Sequence, residues 1–388
     1  MATPLAGLKV VELARILAGP WIGQTLADLG ADVVKVESPD GDDTRKWGPP
    51  FVKRNVGEPD AAYFHACNRG KRSVIADFSA PEGREFVLKL IDQADVVVEN
   101  FKTGGLAKYG FDYATLAQRN PRLIYCSVTG FGQTGPYAQR AGYDAMIQGF
   151  SGLMDLTGEP DGDPQKIGVA LVDIMTGLYG VIAIQAALAQ RERTGCGQHI
   201  DMALLDVSVS VLANQALNYL VSGNTPRRLG NAHPNIVPYQ TFGVADGYVM
   251  ISVGNDSQYR KLCEVLGRQE LARDPRYATN ADRVRERSEL IPLLSASLRD
   301  WQAAELLSRL EAVGVPAGPV NTVREVFADP QVVHRQMKVM IDAPDIEGGS
   351  VPSVRSPLQF SGAQLSLSRP SPRLGEHTDE VRRELGLL

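Results

Sequence analysis

The chain predicts an α/β fold built on a doubly wound parallel sheet. Short β-branched runs at residues 8–13, 31–37, 73–77, 95–100 and 122–128 alternate with segments of helical period. The first two runs enclose a helical segment, and strand, helix, strand at that spacing is a βαβ unit with parallel strands. A third observation points beyond one domain. With 388 residues, 44% of them hydrophobic, the chain can bury two cores, and its composition shifts at 222–235, a stretch rich in Gly, Asn, Pro and Arg.

Residues 8–13 read as a buried strand, and 15–20, with Gly19 and Pro20, as a turn. Residues 21–29 have helical spacing and stop at Gly30, a residue type that closes helices in left-handed backbone. The second strand, 31–37, completes a Rossmann-like start. A strand at 73–77, a helix at 81–93, an apolar strand at 95–100 ending in Glu99-Asn100 and a strand at 122–128 follow. The ligand of such a sheet lies at the carboxyl ends of its strands. Loops at 41–50, 68–73 and 100–105 bring Arg45, Lys46, Arg69, Lys71, Arg72 and Lys102 to what reads as one rim. Cations and exposed backbone N–H groups there suit a phosphorylated ligand, the alternative being solvated loop surface. Residues 130–135 match G-x-G-x-x-G. Pro136 and a polar run to Asp144 follow where a dinucleotide site needs a helix, so the match reads as loop chemistry.

Asp173 stands in a short apolar run, immediately before an amphipathic segment at 175–193. It therefore sits at or just before a helix N-terminus, where orphan N–H groups and the helix dipole favour negative charge. By position alone it is a helix cap, a role Asp fills well. A strand at 199–204 runs into an apolar helix at 205–219. Beyond the 222–235 boundary, residues 239–252 alternate around a turn at Asp246-Gly247. Residues 258–266, 287–298 and 303–312 are helical by period, 315–320 is a stiff connector, and the tail ends in a short helix near Glu380.

A net charge of −5 gives no nucleic-acid footprint and no polybasic membrane patch. Cys67, Cys126, Cys196 and Cys263 are scattered, and read as reduced thiols. The five His are dispersed, without metal-ligand spacing. No secretory signal is visible and no apolar run reaches the ~20 residues of a membrane span. The expectation is a cytoplasmic protein, or a mitochondrial-matrix one that has lost a presequence.

Several segments in fixed order resemble the family III CoA-transferases, the formyl-CoA transferase and carnitine-CoA transferase group. They are LAGPW (17–21), VVKVE (33–37), NRGKRS (68–73), VVVENF (96–101), SVTGFGQTGPYAQRAGYDAM (127–146), SGLMDLTGEPDGDP (151–164), DIMTGLYG (173–180), RTGCGQHIDMALLD (193–206) and PRLGEHTDEV (372–381). The resemblance covers essentially the whole chain. Residues 41–52, 142–154 and 232–242 look most like the succinyl-CoA:glutarate type, which handles dicarboxylates.

The resemblance implies an interlocked homodimer. Each subunit has a Rossmann-like large domain made from both chain ends (1–220 and 321–388) and an inserted smaller α+β domain (221–320). It implies no tightly bound cofactor, with coenzyme A and acyl-CoA as substrates and a free carboxylic acid as acceptor. Asp173 aligns with the family's nucleophilic aspartate. The CoA cradle carried over onto this chain is Ala18, Asn68, Lys71, Arg72, Asn100, Phe101, Lys108, Tyr143 and Asp144; charge and loop position add Arg15 and Arg45. For Arg15 and Lys108 the plain alternative is surface charge. Trp47 and Tyr63 match pocket positions of the formyl-CoA member, with core packing as the alternative. Leu17 stands where that member has a glutamine. Residues 231–235 replace its tetraglycine flap and offer His233 and Asn235 to the substrate. The racemase branch of the superfamily has a histidine base where this chain has Tyr143, so a 2-methylacyl-CoA racemase is the second reading. A non-catalytic CoA-binding module is the third.

Overall fold

The computed structural model describes residues 2–388. The chain divides into two compact units, one of Met1–Leu153, Lys166–Val221 and Pro330–Leu388, the other of Met154–Gln165 and Ser222–Asp329. The sequence expectation places the return to the first unit at 321 and gives 154–165 to that unit. The return comes at Pro330, and Met154–Gln165 joins the second unit, where Gly230 N–H donates to Gly158 O at 3.0 Å and Arg228 pairs with Asp155 at 2.8 Å. No local pattern announces such contacts.

The first unit is built on six parallel strands: β1 (Lys9–Glu12), β2 (Asp32–Glu37), β3 (Arg72–Ile75), β4 (Val96–Glu99), β5 (Ile124–Thr129) and β6 (His199–Ala203). Their order is β3-β2-β1-β4-β5-β6. Strand order reverses between β1 and β4, which opens a crevice at the carboxyl ends there. Alternation along each strand sends Val10, Val33, Val96, Val98 and Cys126 to one face, and Val11, Val34, Val97 and Tyr125 to the other.

The first face is covered by α1 (Ala18–Asp28) and α5 (Leu171–Thr194), and the second by α2 (Pro81–Asp92) and α3 (Tyr113–Arg119). Between β5 and α5 lies α4 (Asp144–Phe150); α6 (Leu204–Ser210) and α7 (Ala213–Ser222) follow β6. The helix expected from residue 21 starts at Ala18 instead. Pro20 falls in its first turn, where a missing N–H costs no helical bond. Gly177 lets α5 approach α1, since a Cβ there would lie 2.9 Å from the Trp21 Cβ. By length and mean hydropathy (1.7) α5 could pass for a membrane span, against the sequence expectation, but Val172, Val181, Ile184 and Ala187 bury one side in this core. The C-terminal segment returns to the sheet edge: His377 N–H donates to Ser73 O at 2.9 Å, and a helix at Thr378–Glu384 packs against β3.

The second unit has three antiparallel strands, β7 (Tyr239–Val244), β8 (Gly247–Ser252) and β9 (Ala317–Pro319), with β8 central. The expected connector at 315–320 thus supplies an edge strand. Helices α8 (Asp256–Val265), α9 (Arg287–Leu298) and α10 (Ala303–Ala312) bury Leu262, Leu290, Leu294, Leu306 and Leu310 against the strands.

Candidate active site

A cavity of about 280 Å³ opens at the crevice between β1 and β4. Its walls come from the turn after β1 (Arg15, Ile16, Leu17, Ala18), the loop after β4 (Asn100 to Thr103), the loop after β5 (Thr129, Gly130, Ala138, Arg140 to Tyr143) and Asp173. Backbone geometry holds these loops together. The Asn100 amide donates to Arg15 O at 2.6 Å and accepts from Arg15 N–H at 2.9 Å. Ile16 is held at φ +75°, a left-handed conformation costly for a β-branched residue. Its N–H points to the Asp42 carboxylate (3.3 Å) and its carbonyl accepts from Cys67 Sγ (3.5 Å). Gly130 and Gly142 pack backbone to backbone, and a Cβ on Gly130 would fall 2.5 Å from the Gly142 Cα. The N–H groups at the start of α1 have no intrahelical acceptor, and two of the residues that carry them, Leu17 and Ala18, line this wall.

Asp173 occupies the first turn of α5, but it is not the cap. The cap position is Ala170, whose side chain makes no capping bond. The capping carboxylate comes from Asp144, whose Oδ1 accepts from Val172 N–H at 2.7 Å and Asp173 N–H at 3.1 Å. Asp144 Oδ2 accepts from the Gln148 amide at 2.6 Å, and Gln148 Oε1 accepts from Ile167 N–H at 2.9 Å, which fixes the chain leading into α5. The Asp173 carboxylate, by contrast, has no hydrogen-bond partner among the described residues. Burial, and next the Asp144 charge, push it up to about 7. Its place in a first helical turn favours the ionised form, and burial and the Asp144 charge act in the opposite direction.

The structure brings Arg15, Leu17, Ala18, Asn100, Phe101, Tyr143 and Asp173 together around the cavity. Tyr63 stands within electrostatic reach: burial, then the Asp173 charge, push its hydroxyl up to about 12, and its ring meets Trp47 edge-on at 5.3 Å. Glu99, beneath the cavity, fixes Phe101 by accepting its N–H at 2.8 Å, and burial pushes its carboxyl up to about 7.

Five residues of the expected CoA cradle are spent elsewhere. Arg45 is buried with its guanidinium on Glu37 (2.7 and 2.9 Å), Asp60 (3.0 Å) and Pro372 O (3.1 Å). Lys71 has no exposed surface, and its Nζ donates to Glu12, Pro20 O and the Asn68 amide oxygen within 3.0 Å. Asn68 is equally buried and donates to Phe64 O at 2.9 Å. Arg72 pairs with Asp32, Glu380 and Glu384 at 2.6 to 3.1 Å. Asp144 is the helix cap. Direction explains two of the 68–73 cations: the loop precedes β3, so Arg69 and Arg72 emerge at the opposite edge, on Asp28 and Asp32, whereas Lys71 and Asn68 reach back under the start of α1 and are used up there by Glu12, Pro20 O and each other. Lys108 is exposed, with its Nζ over the Tyr109 ring at 4.7 Å, and does not line the cavity.

Lys102, expected at the rim, lines the cavity together with Arg140 and Thr103, which the sequence reading does not single out as site residues. Their signal was a loop rich in Gly and cations directly after a strand. The Arg140 guanidinium lies over the Tyr137 ring at 4.0 Å. The G-x-G-x-x-G stretch stays a loop, with Gly132 and Gly135 at φ +87° and +92° and no helix before Asp144. His233 and Asn235 belong to the second unit. There the His233 ring stacks on Tyr239 at 5.1 Å and its Nδ1 accepts the Asn235 N–H at 3.1 Å. Burial, then Arg287, hold the His233 imidazole below its ordinary range.

Residues 5–378 match the sequence profile of CoA-transferase family III. A succinate–glutarate CoA-transferase of Agrobacterium fabrum is 58% identical over 384 residues, 98% of this chain and 96% of its own length. A succinyl-CoA:glutarate CoA-transferase of Mus musculus is 43% identical over 383 residues, 98% of this chain and 86% of its own. The crystal structure of a CaiB/BaiF family protein from Brucella suis matches with a TM-score of 0.88 at 63% identity, covering 99% of this chain and 100% of that one.

Proposed function

The chain belongs to CoA-transferase family III, and from that premise we propose that it moves CoA from succinyl-CoA to a small dicarboxylate such as glutarate, with Asp173 as nucleophile. The observation that carries the reading is a buried carboxylate, free of hydrogen bonds, facing a cavity at the point where strand order reverses.

The Asp173 carboxylate attacks the thioester carbonyl, giving a mixed anhydride and CoA thiolate. The thiolate attacks the Asp173 carbonyl, releasing succinate and leaving an aspartyl-CoA thioester. The acceptor carboxylate then attacks that thioester, and the new anhydride is opened at the acceptor carbonyl by the thiolate. Glutaryl-CoA leaves and the Asp173 carboxylate is restored. One hard exchange becomes four acyl transfers, each between a carboxylate or thiolate and an activated carbonyl.

A carboxyl pushed up to about 7 is more basic, and so a better nucleophile, than an ordinary aspartate, while its ionised form is still within reach at neutral pH. The N–H groups at the start of α1 are placed to receive a developing oxyanion. Arg15, Lys102 and Arg140 supply positive charge at the wall for the CoA phosphates. Leu17, Trp47 and Tyr63 are the proposed acyl-pocket residues. A homodimer is part of the proposal, supported by apolar side chains left uncovered on α5 and α7: Ile182 at 62%, Leu220 at 72% and Val221 at 83% exposure.

The test is incubation with succinyl-CoA and glutarate, followed by chromatography of the CoA esters. Glutaryl-CoA forms with the wild type and not with Asp173→Ala. Undiminished transfer by that variant would sink the assignment of the nucleophile.

A further inference from the structure

Thr176 is fully buried on α5, and its hydroxyl has no hydrogen-bond partner among the described residues. Leaving a buried hydroxyl unsatisfied is costly. Two other helical threonines of the same unit avoid that cost by donating to the carbonyl four residues earlier, Thr25 to Trp21 O at 2.7 Å and Thr194 to Gln190 O at 3.1 Å. Thr176 makes no such bond to Val172. It lies three residues after Asp173, and residues three apart are neighbours on a helix surface. Two polar groups, one a hydroxyl donor and one a carboxylate, thus sit one turn apart, both without partners.

We propose that Thr176 is a positioning residue for Asp173, its hydroxyl turning to donate to the carboxylate in the reacting complex and then to the carbonyl oxygen of the aspartyl-CoA thioester. The inference rests on the reading of Asp173 as nucleophile. A donor favours the ionised carboxylate and restricts its rotation, so one bond serves both charge and aim.

Asp144 from α4 and Tyr63 act electrostatically on Asp173, and Tyr143, Lys102, Arg140 and Arg15, the last paired with Asp43 at 3.0 Å, line the same cavity. On β5 beneath α5, burial keeps the Cys126 thiol protonated. Asp28 of α1 is paired with Arg69, Asp201 of β6 accepts the Gln133 N–H, and Asp206 of α6 is exposed. His199 of β6 is turned to Ser127 and the rings of Tyr113 and Tyr125. Substitution of Thr176 leaves all of these in place.

The experiment follows formation of the enzyme–CoA adduct from succinyl-CoA alone, by intact mass, as a function of pH. It compares wild type, Thr176→Val, Thr176→Ser and Asp173→Ala, each with a melting curve. The rate of adduct formation rises with pH in the wild type and in Thr176→Ser with a common midpoint. In Thr176→Val the midpoint moves up by about one pH unit, with most of the rate recovered at high pH. Thr176→Ala carries the same deletion if the valine does not fold. A wild-type midpoint in the folded valine or alanine variant overturns the role of Thr176 and leaves Asp173 standing. An adduct in Asp173→Ala, or none in the wild type, removes the Asp173 reading and this inference with it.

Discussion

The two halves of the parallel sheet handle charge in opposite ways. On the β3–β2–β1 side, charged groups are buried and matched: Lys35 and Lys71 share Glu12, Arg45 forks onto Glu37 and reaches Asp60, and Arg69 holds Asp28. On the β1–β4–β5 side, where strand order reverses, Arg140 and Lys102 have no carboxylate partner and the Asp173 carboxylate no hydrogen bond among the described residues. The first half uses its ions to fix the loops after β1 and β2. Asp42, held down at about 2 mainly by Lys35 against the cost of burial, pins the strained Ile16 that lines the cavity. The second half is left with groups able to meet a ligand. A cation in a loop therefore says little about binding until its partners are known.

Several substitutions sharpen the contrast. The largest effect is expected from Asp173→Ala, which should lower transfer on the order of 10³-fold or more without lowering the melting temperature. Next is Lys71→Met, which leaves buried acceptors on Glu12, Pro20 and Asn68 short of a donor. Urea unfolding should show a loss of roughly 3–5 kcal/mol, with the KM for acyl-CoA of the folded fraction unchanged. A raised KM without loss of stability would place Lys71 in the cradle after all.

Asp173→Asn should have the opposite sign. The Asp173 carboxyl titrates higher in the folded than in the unfolded chain, so the unfolded state is the more readily ionised. Its burial costs stability increasingly as pH rises from the ordinary carboxylate range to about 7, fully above that, and not at all below both. The asparagine variant should therefore be more stable than wild type at alkaline pH, by on the order of 4 kcal/mol, and equal in acid. Wild-type kcat/KM should climb through the same region, since only the ionised carboxylate attacks. The smallest effect is Arg140→Ala, expected to raise the KM for acyl-CoA about tenfold with no change in melting temperature.

Much of the first unit was legible in the sequence. The β-branched runs and their helical spacers located β1, β2, β4 and β5 within a residue or two, because buried parallel strands are apolar on both faces. Asp173 could be placed in a first helical turn for the same reason. What the sequence did not carry was partnership. Asp144 caps α5 from a distance of 28 residues in sequence, and Arg45 meets Pro372 from 327 away. Neither spacing leaves a periodic trace. The edge at which a loop emerges was recoverable from strand direction alone, and that reasoning would have removed Arg69 and Arg72 from the rim and kept Lys102, while the burial of Lys71 on Glu12 and Pro20 O was not recoverable that way. Arg140 stands in the 127–146 segment, whose G-x-G-x-x-G start and polar run carry no local sign of a cavity wall.

The central claim is that the Asp173 carboxylate takes part covalently, and oxygen transfer tests it most directly. During turnover of succinyl-CoA with glutarate labelled by ¹⁸O in its carboxylates, the bridging oxygen of the second anhydride comes from glutarate and departs with the aspartate. Peptide mass mapping should find ¹⁸O in Asp173, gained as glutaryl-CoA forms and absent when succinyl-CoA is withheld. Formation of glutaryl-CoA with Asp173 free of label would contradict the account.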